Sequence, residues 1–132
     1  FISLISWIKS IVTKERVKKK GCLWIFSSVA GDRGRPSNYQ YGAAKSGLTT
    51  YCEGLANMYH TSPFNIRIIK AGLIKTSMSK GSFPDFLFTD KSKIVRKLLR
   101  DPYKNGIEYL PYWWKIIMLI IKSLPSFLME KL

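Results

Sequence analysis

The sequence predicts an α/β architecture built on a doubly wound parallel sheet, and three observations carry that reading. The segment Cys22-Leu-Trp-Ile-Phe26 is an unbroken apolar run without polar alternation, which suits a parallel strand buried on both faces. It ends in Ser27, Ser28 and, three residues on, Gly31, so its polar residues fall at the carboxyl end of a strand, where open α/β sheets place their ligands. Strand-like and helix-like segments then alternate along the rest of the chain.

Taken in order, Phe1, Leu4, Ile5, Ile8, Ile11 and Val12 recur at helical spacing opposite Ser3, Ser6, Lys9, Ser10 and Thr13, predicting an amphipathic first helix. The Cys22–Ser28 strand follows. Asp32-Arg-Gly-Arg-Pro-Ser-Asn38 is a loop by its turn formers and charge. Ser37 or Asn38 is placed to cap the next helix, which carries Tyr41 and Lys45. Ile66 to Thr76 supplies the next strand and its turn, and Ser77–Phe88 mixes apolar bulk with breakers. Asp90 caps a helix through about Arg100, with Ile94, Val95, Leu98 and Leu99 on one side; Gly106–Leu110 is a last strand. The division is a domain portion over 1–110 and an apolar terminal helix over 111–132.

The chemistry lies in Tyr41-Gly-Ala-Ala-Lys45. Residues four apart on a helix share a face. A phenol is a proton donor, and an ammonium one turn away stabilises the phenolate left after transfer; at ~4 Å and an effective dielectric of ~20 a unit charge supplies roughly 4 kcal/mol. Ser28, thirteen positions before the tyrosine, adds a hydroxyl able to hydrogen-bond a carbonyl oxygen.

Ser27-Ser-Val-Ala-Gly31 followed by Tyr-x-x-x-Lys at this spacing resembles the short-chain dehydrogenase/reductases. Ile66-Arg-Ile-Ile-Lys-Ala-Gly-Leu-Ile-Lys-Thr76 is similar to that family's next strand and its Pro-Gly-x-x-x-Thr turn, with Ala71 where proline is usual. The resemblance implies a Rossmann-like fold and NAD or NADP as cofactor. It implies that Ser28 polarises the substrate carbonyl, that Tyr41 is general acid or base, and that Lys45 supports Tyr41 and the nicotinamide ribose. Ile74 and Thr76 would contact the cofactor. Met78, Phe83, Phe86 and Phe88 would fall in the family's substrate loop, with packing on the core as the competing role. The family's G-x-G-x-x-G turn and its acidic ribose ligand do not occur in these residues, so the expectation is the C-terminal half of a longer enzyme, inactive by itself.

The tail reads Pro111-Tyr-Trp-Trp-Lys-Ile-Ile-Met-Leu-Ile-Ile-Lys-Ser-Leu-Pro125. An apolar run of this length is too short to span a bilayer, which needs about 20 residues. Aromatics and lysines bracketing it suit a membrane interface, and docking on the sheet or on a second subunit is the alternative. This tail and the Ser27–Lys45 stretch together resemble decaprenylphosphoryl-2-keto-pentose reductases of cell-surface polysaccharide synthesis. That branch implies a lipid-linked keto-sugar substrate and a cytoplasmic enzyme at the inner face of the membrane, with Arg33 or Arg35 meeting a phosphate. A same-family reductase of a soluble carbonyl or acyl substrate, or a non-catalytic protein that binds membrane or partners, are the other readings. Small residues Ala43, Ala44, Gly47 and Gly54 leave open a homodimer through the Tyr41 helix.

Composition excludes other classes. The net charge is +14, but apart from Lys18-Lys-Lys20 the lysines are dispersed and no nucleic-acid-binding pattern occurs. Cys22 and Cys52 sit in apolar contexts, consistent with reduced thiols; with one histidine and no C-x-x-C, no metal site is expected. A hydrolase pairing of Ser28 with His60 lacks the G-x-S-x-G elbow.

Overall fold

The computed structural model describes residues 2–75 and 84–129. Helix α1 (Ile2–Ile11) leads through a single 3-10 turn (Arg16–Lys18) into strand β1 (Gly21–Ser28). A second 3-10 turn (Val29–Gly31) and a loop precede α2 (Tyr39–Met58), which leads to β2 (Phe64–Ala71). Then come α3 (Lys91–Arg100), β3 (Gly106–Leu110), α4 (Trp114–Ser123) and the short α5 (Ser126–Met129). The three strands form one parallel sheet in the order β1-β2-β3, with Gly21 to Ser28 in register with Phe64 to Ala71, and Arg67 to Ala71 with Gly106 to Leu110. Gly106 opens β3 at φ 84°, a left-handed conformation that only glycine adopts cheaply.

Helices cover both faces. On one, Ile8 and Val12 of the α1 segment and Leu48 and Cys52 of α2 pack on Ile25, Phe64, Ile66 and Ile68. On the other, Ile94 and Leu98 of α3 pack on Ile69 and Leu110, with Trp24 beside them. Helical crossovers between parallel strands place helices on both faces in this way. The α3 cap is as expected: the Asp90 carboxylate accepts from the Ser92 amide at 2.9 Å.

Three expectations are corrected. The Cys22–Phe26 run is not buried on both faces throughout, because β1 lies at the edge of the sheet among the described residues and Phe26 stays half-exposed. Asn38 occupies the cap position of α2, but its side chain makes no cap bond and its Oδ1 is buried without a partner among the described residues. The terminal segment is two helices rather than one, broken at Leu124-Pro125, where proline removes a backbone donor.

That segment docks on its own chain. Trp114 and Met118 are buried with Val29, and Leu73, Tyr109, Ile117 and Ile121 pack around them, so α4 crosses the carboxyl ends of the strands. A Cβ on Gly72 would stand 2.1 Å from the Trp114 indole, so only glycine admits the ring there.

Candidate active site

Ser28 ends β1 and caps the turn behind it: its Oγ accepts from the Ala30 amide at 3.2 Å. The neighbouring Ser27 points the other way, into the core, where its Oγ lies 2.7 Å from Thr49 Oγ1 and donates to the Lys45 carbonyl at 3.1 Å. Alternation along the strand thus assigns the two serines opposite tasks. Ser27 pins α2 to the strand, and Ser28 stands at its carboxyl edge.

The turn and the helix approach each other through missing side chains. A Cβ on Gly31 would meet the Ser46 nitrogen at 2.7 Å and the Lys45 carbonyl carbon at 2.8 Å, while one on Gly42 would meet the Ala30 oxygen at 2.8 Å. Backbone lies against backbone. This contact sets the distance between the serine turn and the first turns of α2.

On those turns, the Lys45 ammonium donates to the Phe26 carbonyl at 2.9 Å and sits 5.7 Å from the centre of the Tyr41 ring. The lysine is therefore held from below by β1 while presenting its charge to the tyrosine. Tyr41 is half-exposed, and its hydroxyl has no hydrogen-bond partner among the described residues. The arrangement offers a solvent-facing phenol, a fixed cation and a strand-end hydroxyl at one edge of the sheet.

A buried polar cluster underneath was missed by the sequence reading. Asp32 ion-pairs with Lys70 of β2 and accepts from the Tyr109 hydroxyl of β3 at 2.6 Å. Burial, then the hydrogen bond and charge of Asp32, push the Tyr109 phenol well above its ordinary range. The available signal was weak: Lys70 is one of three polar residues, with Asn65 and Arg67, in a strand whose Ile68 and Ile69 are fully buried.

Of the weaker candidates, Arg33 turns its guanidinium to the Lys122 and Leu124 carbonyls, at 3.2 and 3.0 Å, closing the C-terminus of α4. Arg35 is partly exposed on the same loop. Ile74 lies past the β2 turn, in a parallel bridge with Thr89. Thr76, Met78 and Phe83 lie outside the described residues. His60 bonds through Nδ1 to the Asn57 carbonyl at 2.9 Å, beyond the C-terminus of α2. A helix this long runs to nearly ~30 Å, so His60 is remote from Ser28 and no nucleophile–base pair forms.

The short chain dehydrogenase family profile matches residues 1–86. The chain belongs to that family. It is 28% identical to an uncharacterized oxidoreductase of Mycobacterium tuberculosis over 134 residues, covering 100% of this chain and 53% of the relative. Over 73 residues it is 32% identical to the 3-oxoacyl-(acyl-carrier-protein) reductase of Chlamydia muridarum, covering 54% of this chain and 29% of the relative. The chain thus spans about half the length of the first of these relatives and less of the second. Its fold is similar to the crystal structure of a short-chain dehydrogenase from Streptomyces avermitilis, with a TM-score of 0.50 and 17% identity over 91% of this chain and 45% of that one.

The family generally uses NAD or NADP. A fixed ammonium and a phenol at the carboxyl edge of a parallel sheet fit the ribose and nicotinamide end of NAD or NADP. A glycine-rich turn for the pyrophosphate does not occur in the sequence.

Proposed function

We propose that this chain supplies the proton-transfer side of an NAD(P)-dependent oxidoreductase that reduces a carbonyl or oxidises the corresponding alcohol. The observation that carries the reading is the Lys45 ammonium, fixed on the Phe26 carbonyl and facing the Tyr41 ring, beside Ser28 at the strand end. When bound, the nicotinamide supplies or accepts the hydride. Ser28 donates to the carbonyl oxygen and orients it. Tyr41 delivers the proton to that oxygen in reduction, and Lys45 stabilises the resulting phenolate while reaching the ribose hydroxyls. Gly31 and Gly42 hold the two halves of this constellation in register.

For the substrate we infer a lipid-linked keto-sugar, handled by an enzyme in peripheral contact with a membrane. An apolar terminal helix lying across the same strand edge as Ser28, in a strongly basic chain, supports that reading. A soluble acyl substrate is the alternative, favoured by the name of the Chlamydia muridarum relative.

The test is Tyr41→Phe in the full-length protein, assayed by NADH or NADPH oxidation with a polyprenyl-phosphate keto-sugar and with a 3-oxoacyl substrate. The expected result is turnover of the first, reduced about 10²- to 10⁴-fold in the variant with unchanged folding, the range for loss of a general acid. Undiminished turnover by the variant would remove Tyr41 as proton donor, and turnover of the acyl substrate alone would move the enzyme to the alternative.

A further inference from the structure

The outward face of α4 is unlike that of an ordinary surface helix. Trp114 and Met118 are buried and Ile117 and Ile121 half-buried, so the opposite stripe should be polar. Instead it carries Ile116, Leu119 and Ile120, exposed at 56%, 70% and 57%. Tyr112 and Trp113 lead into this stripe, and Phe127 and Leu128 of α5 follow it, all exposed. Scattered exposed leucines need no explanation, but a contiguous apolar ridge does.

Charge says what covers the ridge. From Tyr109 to Met129 the only ionisable side chains besides Tyr109 and Tyr112 are Lys115 and Lys122, both exposed and flanking the ridge. A groove beside α4 is lined by Tyr109, Lys115, Ile116, Leu119 and Lys122. It adjoins, through Tyr109 and Lys115, a cavity of about 420 Å³ at the outer edge of β3 that also gathers Lys70, Lys97, Lys104 and Tyr112. Glu108 is the single carboxylate lining that cavity, and it is committed to Arg67 and to Lys104, at 2.6 and 2.8 Å. Lys97 rests over the Tyr112 ring at 5.9 Å, joining the basic side of α3 to the aromatic start of α4. Neither Lys97 nor Lys115 has a carboxylate within ion-pair range among the described residues. An apolar ridge bordered by uncompensated lysines matches hydrocarbon beneath a layer of phosphate, because each part meets its own complement at a different depth.

We propose that this face docks on a bilayer of anionic phospholipid. Ile116, Leu119 and Ile120 enter the acyl boundary, and a lipid phosphate seats in the cavity beside Lys97 and Lys115. The inference names the lipid class and the residues of the membrane contact suggested above. It does not depend on the redox chemistry, since vesicle binding is read without substrate or cofactor.

The experiment is flotation of the full-length protein with vesicles of phosphatidylcholine alone or with about one phosphatidylglycerol in three lipids. Binding is expected only to the anionic vesicles and should weaken as salt shortens the Debye length from about 10 Å at 0.1 M to about 3 Å at 1 M. Leu119→Glu should lower the affinity at least about tenfold, through lost apolar burial and added repulsion; the milder Leu119→Gln reads the same feature if the first variant does not fold. Lys97→Glu with Lys115→Glu should weaken binding more than Lys18→Glu with Lys19→Glu, an equal charge change at the opposite end of β1. Absent binding, or binding by bulk charge that ignores Leu119 and treats the two lysine pairs alike, would overturn the proposal. So would a dimer that Leu119→Glu dissociates in a protein that leaves vesicles alone, since the ridge would then belong to a second copy.

Discussion

Two buried ion clusters lie along β2, three residues apart, and they hold different things. Arg67 faces α3: it bonds Glu108 through Nε and Nη2, both at 2.6 Å, and the Leu98 and Asp101 carbonyls at 3.0 and 2.8 Å, with Trp24 stacked 5.3 Å away. Every partner belongs to a regular element or its immediate end. Lys70 instead grips Asp32, the residue that follows the Val29–Gly31 turn, and Tyr109 grips the same carboxylate. The first cluster fastens scaffold to scaffold. The second fastens the scaffold to the turn that follows the strand-end serine, so the same chemistry serves stability in one place and positioning in the other.

The largest effect should come from breaking each cluster once. Glu108→Ala leaves the Arg67 guanidinium, 2% exposed, without its counter-charge. A loss of about 3–5 kcal/mol in urea unfolding is expected, with kcat little changed in the protein that stays folded. Asp32→Ala should cost less stability, because Lys70 is already 12% exposed and can turn toward water. Its signature is a fall in kcat of the full-length enzyme. If the two variants lost stability and activity in the same proportion, the distinction between the clusters would collapse.

Alkaline pH probes the α2 core, on the sheet face opposite the Arg67 cluster. Burial pushes the Cys52 thiol from 9.0 up to about 11. A folded-state value above the unfolded one means the contribution is complete below pH 9 and is lost as pH climbs through about 11. Two units correspond to at most about 3 kcal/mol. Tyr109, also raised, acts in the same direction at still higher pH. Urea midpoints measured from pH 8 to 11 should fall, and Cys52→Ala should flatten the first part of that fall.

Two glycines of α2 give the smallest and cleanest contrast. Gly54→Ala has nothing within 4 Å of the new Cβ, so helix propensity should raise stability by about 0.5–1 kcal/mol. Gly42→Ala gains the same propensity but drives a methyl into the Ala30 oxygen, for a net loss of about 1–3 kcal/mol. Because that contact spaces Ser28 from Tyr41, the full-length enzyme should also lose turnover. Thermal melts of both variants decide the sign.

These contrasts also show what was legible beforehand. Apolar runs and helical spacing disclosed the strands, the helices and their order, since burial on both sheet faces leaves a compositional trace. Ser28, Tyr41 and Lys45 stood out because helix geometry converts a spacing of four into a shared face. The Asp32–Lys70–Tyr109 cluster did not, because its members are 38 and 39 residues apart in sequence and meet only once three strands are in register. Arg33 gave no sequence signal of its partner either: it bonds backbone carbonyls, which any residue possesses. The tail misled in another way, because a helix apolar nearly all round cannot tell from composition which side the chain itself will claim.

Asp32 and Arg33 are consecutive, and they are anchored in opposite directions, one inward to β2 and β3, the other outward to the last carbonyls of α4. This pair works like a hinge pin: its length admits no slack, and inserting or deleting one residue there would misalign both anchors at once. Beyond it the constraint ends, for a Cβ on Gly34 would meet nothing within 4 Å. Natural variation in loop length should therefore gather between Gly34 and Asn38, and the two residues before it should keep their count even where their neighbours drift.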